Sequence, residues 1–217
     1  LGGGTVLEKT VAAFEESGLF GEILVTVSAE DETRVRAMFG GHPLVKIVHG
    51  GPTRTKSVLN GLRASAADIV LVHDGARPYV TRAILEDCIG SVKKYGSGVA
   101  AVPLKDTVKR VNEGGVVVDT PPRDALRAVQ TPQTFEAELI RRAHAAYALG
   151  ERATDDAALA ERMGVKVRLT EGDVENIKLT TPEDMLLARQ VILRREGQKE
   201  EKPMAVSYTH LRAHETD

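Results

Sequence analysis

The chain has 217 residues, of which 42% are hydrophobic and 28% charged, a composition typical of one globular domain with a substantial core. Its formal net charge of -2 gives no electrostatic basis for binding nucleic acid or a membrane, so any phosphate site must use locally placed cations and backbone amides. Cys88 is the only cysteine, which excludes an internal disulfide and a thiolate zinc site. No apolar run approaches the ~20 residues that span a bilayer and no signal peptide is recognisable, so we expect a cytoplasmic protein.

Helix and strand patterns alternate along most of the chain, which predicts an α/β fold with a mostly parallel twisted sheet and helices on both faces. Thr181-Pro182-Glu183-Asp184 is typical of a helix start, because it combines a capping hydroxyl, a first-turn proline and acids near the helix dipole. The predicted helices cover residues 7–17, 31–39, from the turn after residue 50 to 61 or 62, 81–94, 136–149, 155–163 and from 181 onward; the predicted strands cover residues 23–27, 45–49, 69–72, 98–102, 126–130 and 165–169.

A β-hairpin is predicted within the segment of about residues 104–123, with strands at 106–111 and 116–119 joined by the turn Asn112-Glu113-Gly114-Gly115. Lys105, Lys109 and Arg110 make it too charged for the main core. Because an isolated hairpin is only marginally stable, we expect this protruding arm to pack on another surface, and a second subunit is the natural one.

Both ends of the chain depart from this pattern. Leu1 stands where a Met is expected, and Gly2-Gly3-Gly4 has no strand before it, so we expect an amino-terminal part to be missing. Residues 197–217 lack helical or strand periodicity and resemble vector-derived sequence, so we expect a disordered or artefactual tail and exclude its histidines as a metal site. The predicted folded domain therefore covers residues 1–196.

The strongest local signal is the apolar strand at residues 69–72, which leads directly into His73-Asp74-Gly75-Ala76-Arg77-Pro78. Four consecutive apolar residues indicate a strand buried on both faces, and ligands of open α/β sheets bind where such strands end. Here Asp74 can hold a divalent cation, Gly75 allows close approach to the backbone, and Arg77 can pair with a phosphate. A strand followed by a simple Asp-Gly turn is the alternative.

Three further groups of residues indicate a ligand site only when they are considered together with that strand. The segment from Gly50-Gly51 to Ser57 joins a strand to a helix, where backbone amides attract anions, but it is not a Walker loop and a plain turn also fits. Asp106, Thr107 and Arg123 lie at the base of the arm and suit a phosphate, with ordinary surface charge as the alternative. Lys178 lies between two apolar residues and can stabilise phosphoryl charge, unless it is a structural lysine whose ammonium only reaches solvent.

In order along the chain, these segments resemble the 2-C-methyl-D-erythritol 4-phosphate cytidylyltransferase family over roughly residues 1–195. One such motif is a weak signal, whereas seven in series are a strong one. The matching segments are Gly50-Gly51 with Arg54 and Ser57-Val58, residues 72–78, residues 106–109, Arg123 with Leu126, residues 130–133, Thr154-Asp155-Asp156 and residues 176–180.

The resemblance implies a Rossmann-like nucleotidyltransferase with a protruding β-hairpin arm. Such an enzyme moves a cytidylyl group from CTP to 2-C-methyl-D-erythritol 4-phosphate, releases pyrophosphate, uses a divalent cation, usually Mg²⁺, and forms a homodimer through the arm. It further implies that Gly51, Ser57 and Gly75 lie against the cytosine and ribose, and that Asp74 lies beside the metal and the phosphates.

The remaining implied roles concern the acceptor. Arg77 and Lys178 would bind the sugar phosphate and act at the reacting centre, while Lys178 and Arg123 would orient the attacking phosphate. Thr107 and Arg123, with Asp106 beside them, would reach the acceptor phosphate in the neighbouring subunit's site. The implied catalytic residues are thus Lys178, Arg123 and Asp74.

Two alternatives and one departure accompany this interpretation. A cytidylyltransferase acting on ribitol 5-phosphate shares much of the pattern, and a non-catalytic nucleotide-binding homologue would bind CTP without turnover. The family's glycine-rich loop precedes the segment that matches Leu1 to Gly4. Its absence would remove a central strand and two cations, so we expect the chain as given to be inactive and poorly stable.

Overall fold

The computed structural model describes residues 3–147 and 153–200, without the side chains of 196–200. The helices are α1 (Val6–Ser17), α2 (Glu32–Phe39), α3 (Arg54–Ala64), α4 (Arg82–Tyr95), α5 (Ala137–Ala146), α6 (Asp156–Arg162) and α7 (Pro182–Glu200). The strands are β1 (Ile23–Val27), β2 (Val45–His49), β3 (Ile69–Val72), β4 (Ser97–Pro103), β5 (Arg110–Val111), β6 (Val117–Asp119), β7 (Arg127–Glu136) and β8 (Leu169–Glu171). Within the described ranges, no helix has the length and apolar character needed to cross a membrane.

Hydroxyl side chains begin three of the helices that follow strands or turns. Thr5 and Glu8 form a capping box at α1, in which the Thr5 amide donates to Glu8 Oε2 at 2.7 Å. Thr53 caps α3 and Thr81 caps α4 in the same way, through an amide of the first turn. These caps fix where each helix starts relative to the strand before it.

The sheet consists of two pieces. β1 and β2 pair in parallel, and a four-stranded piece has the order β3-β7-β4-β8. β4 and β8 are parallel, whereas β7 runs antiparallel to both of its neighbours, so β3 and β4 point in the same direction. The predicted α/β class with a mostly parallel twisted sheet is confirmed, and β7 is the strand of opposite direction.

Three strand predictions need correction. The first arm strand, predicted at residues 106–111, is confined to β5 at Arg110–Val111. The strand predicted at residues 126–130 continues as β7 to Glu136, and the strand predicted at residues 165–169 is displaced to β8, which begins at Leu169. At the carboxyl end, residues 197–200 of the predicted tail continue α7, while residues 201–217, with His210 and His214, lie outside the described residues.

Helices cover both faces of the sheet, as the sequence predicts. Adjacent residues of β4 demonstrate this, because successive side chains of a strand point to opposite faces. Val99 packs in one cluster with residues of α3, α5 and α6, including Leu62, whereas Ala100 packs in another with α1 and α4, including Phe14. The core is thus two apolar layers separated by one sheet.

A gap separates β1 from β3. Among the described residues, β1 pairs only with β2, and β3 only with β7, so each strand has one edge without a strand partner. A cavity of about 530 Å³ lies between them, lined on one side by α1 residues such as Val11 and Phe14 and on the other by α3 residues such as Val58 and Leu62.

The hairpin of β5 and β6 lies outside both core layers. Its valines are largely exposed: Val111 is 52% exposed, Val116 64%, Val117 53% and Val118 62%. This confirms that the arm is not part of the main core, and it leaves an apolar surface on a protruding element.

Candidate active site

The carboxylate of Asp74 is the centre of the site. Asp74 is the second residue after β3, and its side chain is only 15% exposed. Its Oδ2 atom lies 3.1 Å from Lys178 Nζ and 3.4 Å from Arg77 Nε, and its Oδ1 atom lies 3.9 Å from Arg54 Nε. Burial by itself would raise the pKa of Asp74, but Lys178, Arg54 and Arg77 bring it below the usual range, so the carboxylate stays charged.

A hydrogen-bonded turn fixes Asp74 and Arg77. The Arg77 amide donates to the Asp74 carbonyl at 3.0 Å, and the Asp74 amide donates to Thr131 Oγ1 at 3.1 Å. Thr131 Oγ1 also lies 3.1 Å from His73 Nδ1, and His73 Nε2 lies 3.0 Å from the Arg77 carbonyl. Because the carbonyl can only accept, Nε2 carries the proton and the Thr131 hydroxyl donates to Nδ1, so His73 is neutral in this arrangement.

His73 gives the turn a pH dependence. Desolvation lowers the pKa of His73 from 6.5 to about 4, so the unfolded chain binds this proton more readily than the folded chain does. The stability that His73 contributes is complete above pH 6.5 and is lost as the pH falls from 6.5 toward 4, by up to about 3 kcal/mol.

We therefore predict that the free energy of unfolding of the His73→Gln variant decreases less between pH 7 and pH 4 than that of the unaltered chain. Urea unfolding of the two proteins between pH 7 and pH 4 measures this difference. Parallel stability curves for the two proteins over this interval would contradict the prediction.

The loop before α7 brings Lys178 to Asp74. The Leu179 amide donates to the Ala76 carbonyl at 2.9 Å, and Arg77 Nη1 donates to the Asn176 carbonyl at 2.6 Å. Asn176 is fully buried, and its side-chain amide donates to the Thr131 carbonyl at 2.8 Å. Bonds to both the β3 turn and β7 thus hold this loop, and they limit where the Lys178 ammonium can go.

The loop after β2 forms the other wall. The Gly51 amide donates to Ser57 Oγ at 3.0 Å, so the glycine loop is tied to the first turns of α3. Gly50 is required there, because a Cβ atom on it would lie 2.8 Å from the Val27 carbonyl oxygen. On the opposite side, the Gly75 carbonyl accepts from Thr10 Oγ1 at 2.8 Å. Gly75 thus follows Asp74 directly, whereas Gly51 lies on the loop before Arg54 and Ser57 lies in α3, whose first residue, Arg54, approaches Asp74.

The arm residues are not part of this cluster. Asp106, Thr107 and Arg123 are exposed, and Arg123 Nη1 donates to the Lys105 carbonyl at 3.0 Å within the arm. In the described part of the chain, no hydrogen bond or ion pair joins these three residues to Asp74, Arg77 or Lys178. A single subunit therefore brings together only some of the residues predicted from the sequence.

Sequence reasoning missed two residues beside the site. Arg54 was recognised only as part of a matching motif, yet its guanidinium lies next to Asp74. Asp156 lies in the first turn of α6, a common place for an acid, but its side chain is 1% exposed and pairs with Arg54 at 2.8 Å. The Asp155-Asp156 pair carries no signal that says which carboxylate is buried; the structure makes Asp155 the helix cap.

Comparisons with known proteins show which family the chain belongs to. A family model described as 2-C-methyl-D-erythritol 4-phosphate cytidylyltransferase matches residues 1–195. The chain is 44% identical over 195 residues to the protein of that name from Caldanaerobacter subterraneus, covering 87% of this chain and 86% of the relative. It is 41% identical over 197 residues to the one from Bacillus mycoides, covering 88% and 87%.

Solved structures give the same result. A 4-diphosphocytidyl-2C-methyl-D-erythritol synthase from Anaerococcus prevotii superposes with a TM-score of 0.84 at 32% identity, covering 89% of this chain and 91% of that one. A 2-C-methyl-D-erythritol 4-phosphate cytidylyltransferase from Thermus thermophilus superposes with a TM-score of 0.76 at 35% identity, covering 88% and 90%. The chain therefore belongs to the 2-C-methyl-D-erythritol 4-phosphate cytidylyltransferase family.

Proposed function

We propose that the chain transfers the cytidylyl group of CTP to 2-C-methyl-D-erythritol 4-phosphate and releases pyrophosphate, in non-mevalonate isoprenoid biosynthesis. The main supporting observation is the grouping of Lys178, Arg77 and Arg54 around the Asp74 carboxylate where β3 ends. Several cations around one carboxylate suit a site that must hold two phosphorylated substrates together. The names of the relatives specify the nucleotidyl group and the acceptor.

Catalysis of this reaction depends more on stabilising negative charge than on transferring a proton. A phosphate oxygen of the acceptor attacks the α-phosphorus of CTP, and a new P–O bond forms as the bond to the β-phosphate oxygen breaks, its electron pair leaving with pyrophosphate. The attacking oxygen is already ionised, so no strong general base is required. Repulsion between the two anions and the cost of aligning them dominate the barrier. Lys178 and Arg77 lower both, because their contacts with Asp74 fix where their positive charges lie.

The loops around Asp74 would bind the nucleoside. Gly75 follows Asp74, Gly51 lies on the loop before α3, and Ser57 lies in α3 itself; we assign all three to the cytosine and ribose. The amide-to-hydroxyl bond from Gly51 to Ser57 supports this assignment, since it gives the pocket wall a defined shape before CTP enters.

A divalent cation fits the site as a partner of Asp74 and the substrate phosphates. In the described residues, no group of three or more His, Cys, Asp or Glu side chains could hold a metal by itself. Mg²⁺ does not need such a group, because it is commonly held by one or two carboxylates together with phosphate oxygens and water. Asp74 Oδ1, whose closest ion-pair partner is Arg54 at 3.9 Å, is the protein oxygen that fits this role. When bound, Mg²⁺ would neutralise charge on the triphosphate.

The arm would complete the site of a second subunit. Thr107 and Arg123, with Asp106 beside them, are exposed on the arm and make no contact with the Asp74 cluster of their own chain. The exposed valines of β5 and β6 give the arm an apolar surface that a partner subunit can cover. We therefore place the acceptor phosphate between Lys178 of one subunit and Arg123 of the other, in a homodimer.

Pyrophosphate release tests the function directly. We compare this chain with the extended chain, defined as this chain joined at Leu1 to the amino-terminal segment of the Caldanaerobacter relative, in CTP, Mg²⁺ and 2-C-methyl-D-erythritol 4-phosphate. The extended chain is expected to release pyrophosphate with this acceptor and to form the cytidylylated product. Turnover only with ribitol 5-phosphate would contradict the proposed acceptor, and CTP binding without turnover would indicate a non-catalytic homologue.

Mixing two inactive variants tests the shared site. In the extended chain, Lys178→Ala and Arg123→Ala are each expected to abolish most turnover. Half of the dimers in an equal mixture are mixed, and each of these has one intact site of two, so about a quarter of the original rate should return. A mixture of Lys178→Ala with Asp74→Asn is the control, because both changes affect the same cleft. Equal results from the two mixtures would contradict a site built from two subunits.

A further inference from the structure

Asp156 is a buried carboxylate that the proposed reaction does not use. Its side chain is 1% exposed, its Oδ1 atom lies 2.9 Å from His144 Nε2, and its Oδ2 atom accepts from Arg54 Nη2 at 2.8 Å. Burial by itself would raise the pKa of Asp156, but His144 and Arg54 bring it below its usual range, so the group is a carboxylate. A buried negative charge of this kind is costly unless its partners are well placed.

Arg54 connects this buried carboxylate to the cleft. One edge of its guanidinium is held by Asp156, and Nε lies 3.9 Å from Asp74 Oδ1, which is too long for a direct hydrogen bond. The third nitrogen, Nη1, makes no hydrogen bond to any residue that the structure describes, and the side chain is 39% exposed. Arg54 is therefore fixed on its buried side, while the N–H groups of Nε and Nη1 remain available to a ligand in the cleft.

The position of Asp156 is itself tightly determined. Gln133 is a buried residue of β7, and its Oε1 atom accepts from the amides of Asp156 and Ala157 at 3.0 and 2.9 Å. The Gln133 amide nitrogen donates to Asp155 Oδ2 at 2.9 Å, so the start of α6 is anchored to the sheet. His144 lies behind Asp156, on α5, and its side chain is inaccessible to solvent.

Stability alone does not account for this arrangement. Replacing a buried ion pair by apolar side chains of similar size is often neutral or stabilising, so such a pair is weak evidence for a stabilising role. A long arginine side chain at the edge of a cleft, by contrast, samples many rotamers unless a partner selects one. The carboxylate of Asp156 selects the rotamer that places the guanidinium next to Asp74.

We propose that Asp156, with His144 behind it, is a positioning residue that fixes Arg54 in the cleft so that its free N–H groups meet a phosphate oxygen of the nucleotide. The proposal rests on the proposed function for the identity of the nucleotide. It adds Arg54 to the groups that contact substrate, and it explains why a charged residue is buried at the start of α6.

A double-mutant cycle on CTP binding tests the proposal. In the extended chain, Arg54→Ala and Asp156→Asn are each expected to raise the Kd for CTP about tenfold, since each removes the oriented charged hydrogen bond. The double variant should bind no more weakly than Arg54→Ala alone, because Asp156 acts through Arg54. Glu161→Gln is the matched control: it removes an exposed negative charge from the same helix, makes no hydrogen bond or ion pair with Arg54 among the described residues, and should leave the Kd unchanged. If the double variant raises the Kd for CTP by the product of the two single-variant factors, the proposal is overturned.

Guanidinium rescue separates positioning from a general structural role. Millimolar guanidinium should restore CTP binding to Arg54→Ala, because the cation can occupy the space between Asp156 and Asp74, but it should not restore binding to the double variant. Rescue of both variants, or of neither, would overturn the proposal. If Asp156→Asn does not fold, His144→Asn replaces it, since this change removes the other partner of the same carboxylate.

A failure of the proposed function gives a different result. If the unaltered extended chain does not bind CTP, the nucleotide assignment is wrong, whereas CTP binding that Asp156→Asn leaves unchanged contradicts only the positioning role. The same double-mutant cycle can also be measured through the thermal unfolding midpoint of this chain, and it then shows whether Arg54 and Asp156 are energetically coupled. The decrease in melting temperature of the double variant should be smaller than the sum of the two single-variant decreases. Additive decreases would contradict the pairing.

Discussion

In the extended chain, Lys178→Ala is expected to lower kcat for pyrophosphate release by about a hundredfold to a thousandfold, with a smaller change in KM for CTP. The physical reason is that Lys178 places a positive charge 3.1 Å from Asp74, beyond the carboxyl end of β3, where the proposed reaction locates the transferring phosphoryl group. A preorganised charge stabilises the transition state more than the ground state, because the negative charge on the phosphoryl oxygens and leaving group changes during transfer.

Two controls make this prediction specific. Lys166→Ala removes an exposed lysine from the segment between α6 and β8 and should leave kcat unchanged. Lys178→Arg keeps the charge but not the compact ammonium, and it should recover part of the rate. A Lys178→Ala enzyme with nearly normal kcat and a greatly raised KM would contradict a role in the transition state and assign Lys178 to substrate binding alone.

The arrangement around Asp74 was predictable in part. The apolar strand β3, the acid and the arginine that follow it are contiguous in sequence, so their position at a sheet edge follows from a local pattern. The predicted burial of this strand on both faces is not complete: its four residues are only partly buried, because they border the cavity beside β1. Lys178 is different, because no local signal connects it to Asp74. Only the order of motifs shared with the family indicates that the two residues meet, and hydrogen bonds from Asn176 and Leu179 bring them together in the structure.

The second half of β7 was missed for a physical reason. The predicted strand ends at Gln130, because Thr131, Gln133 and Thr134 are also polar and continue no hydrophobic pattern, yet all four residues are buried. The first three bond to loops that build the site, through the Asp173 carbonyl, His73 and Asp155 respectively. Polar residues in this strand thus position the functional loops, and a pattern based on hydrophobicity cannot identify them.

The displacement of β8 has a related cause. Val165 and Val167 suggest a strand, but they only pack against the cluster of α3, α5 and α6 without pairing in the sheet. Pairing with β4 begins at Leu169, opposite Val99. Alternating apolar residues therefore indicated burial correctly and strand pairing incorrectly, because burial on one side does not require a ladder of backbone hydrogen bonds.

Filling the gap between β1 and β3 is expected to raise the thermal stability of the chain strongly. The two strands point in the same direction. Ser65, before β3, bonds to Glu22, before β1, at 2.7 Å. Arg54, which follows the parallel neighbour β2, approaches Asp74, which follows β3. One further parallel strand can therefore pair with both free edges. The cavity of about 530 Å³ is lined by apolar side chains on both faces, so this strand should be a continuous apolar run.

We expect the added segment of the extended chain to supply such a strand, so that the extended chain melts about 10 °C or more above this chain. Burying each of about five apolar residues contributes about 2 kcal/mol and ordering each costs about 1 kcal/mol, which leaves about 5 kcal/mol. For a domain of this size, that free energy of unfolding corresponds to a shift of about 10 °C or more. Differential scanning calorimetry of the two proteins at equal concentration measures it.

A second extension with two prolines within the apolar run serves as the matched control. It has nearly the same length and composition, but proline cannot donate to a sheet ladder, so it should give little or no rise in melting temperature. Equal melting temperatures for the apolar extension and the proline extension would show that the added segment does not enter the gap. A strand that does enter it emerges beside Asp74, so the same extension should also tighten CTP binding, and stabilisation without tighter binding would contradict the placement of the nucleotide at that end of the sheet.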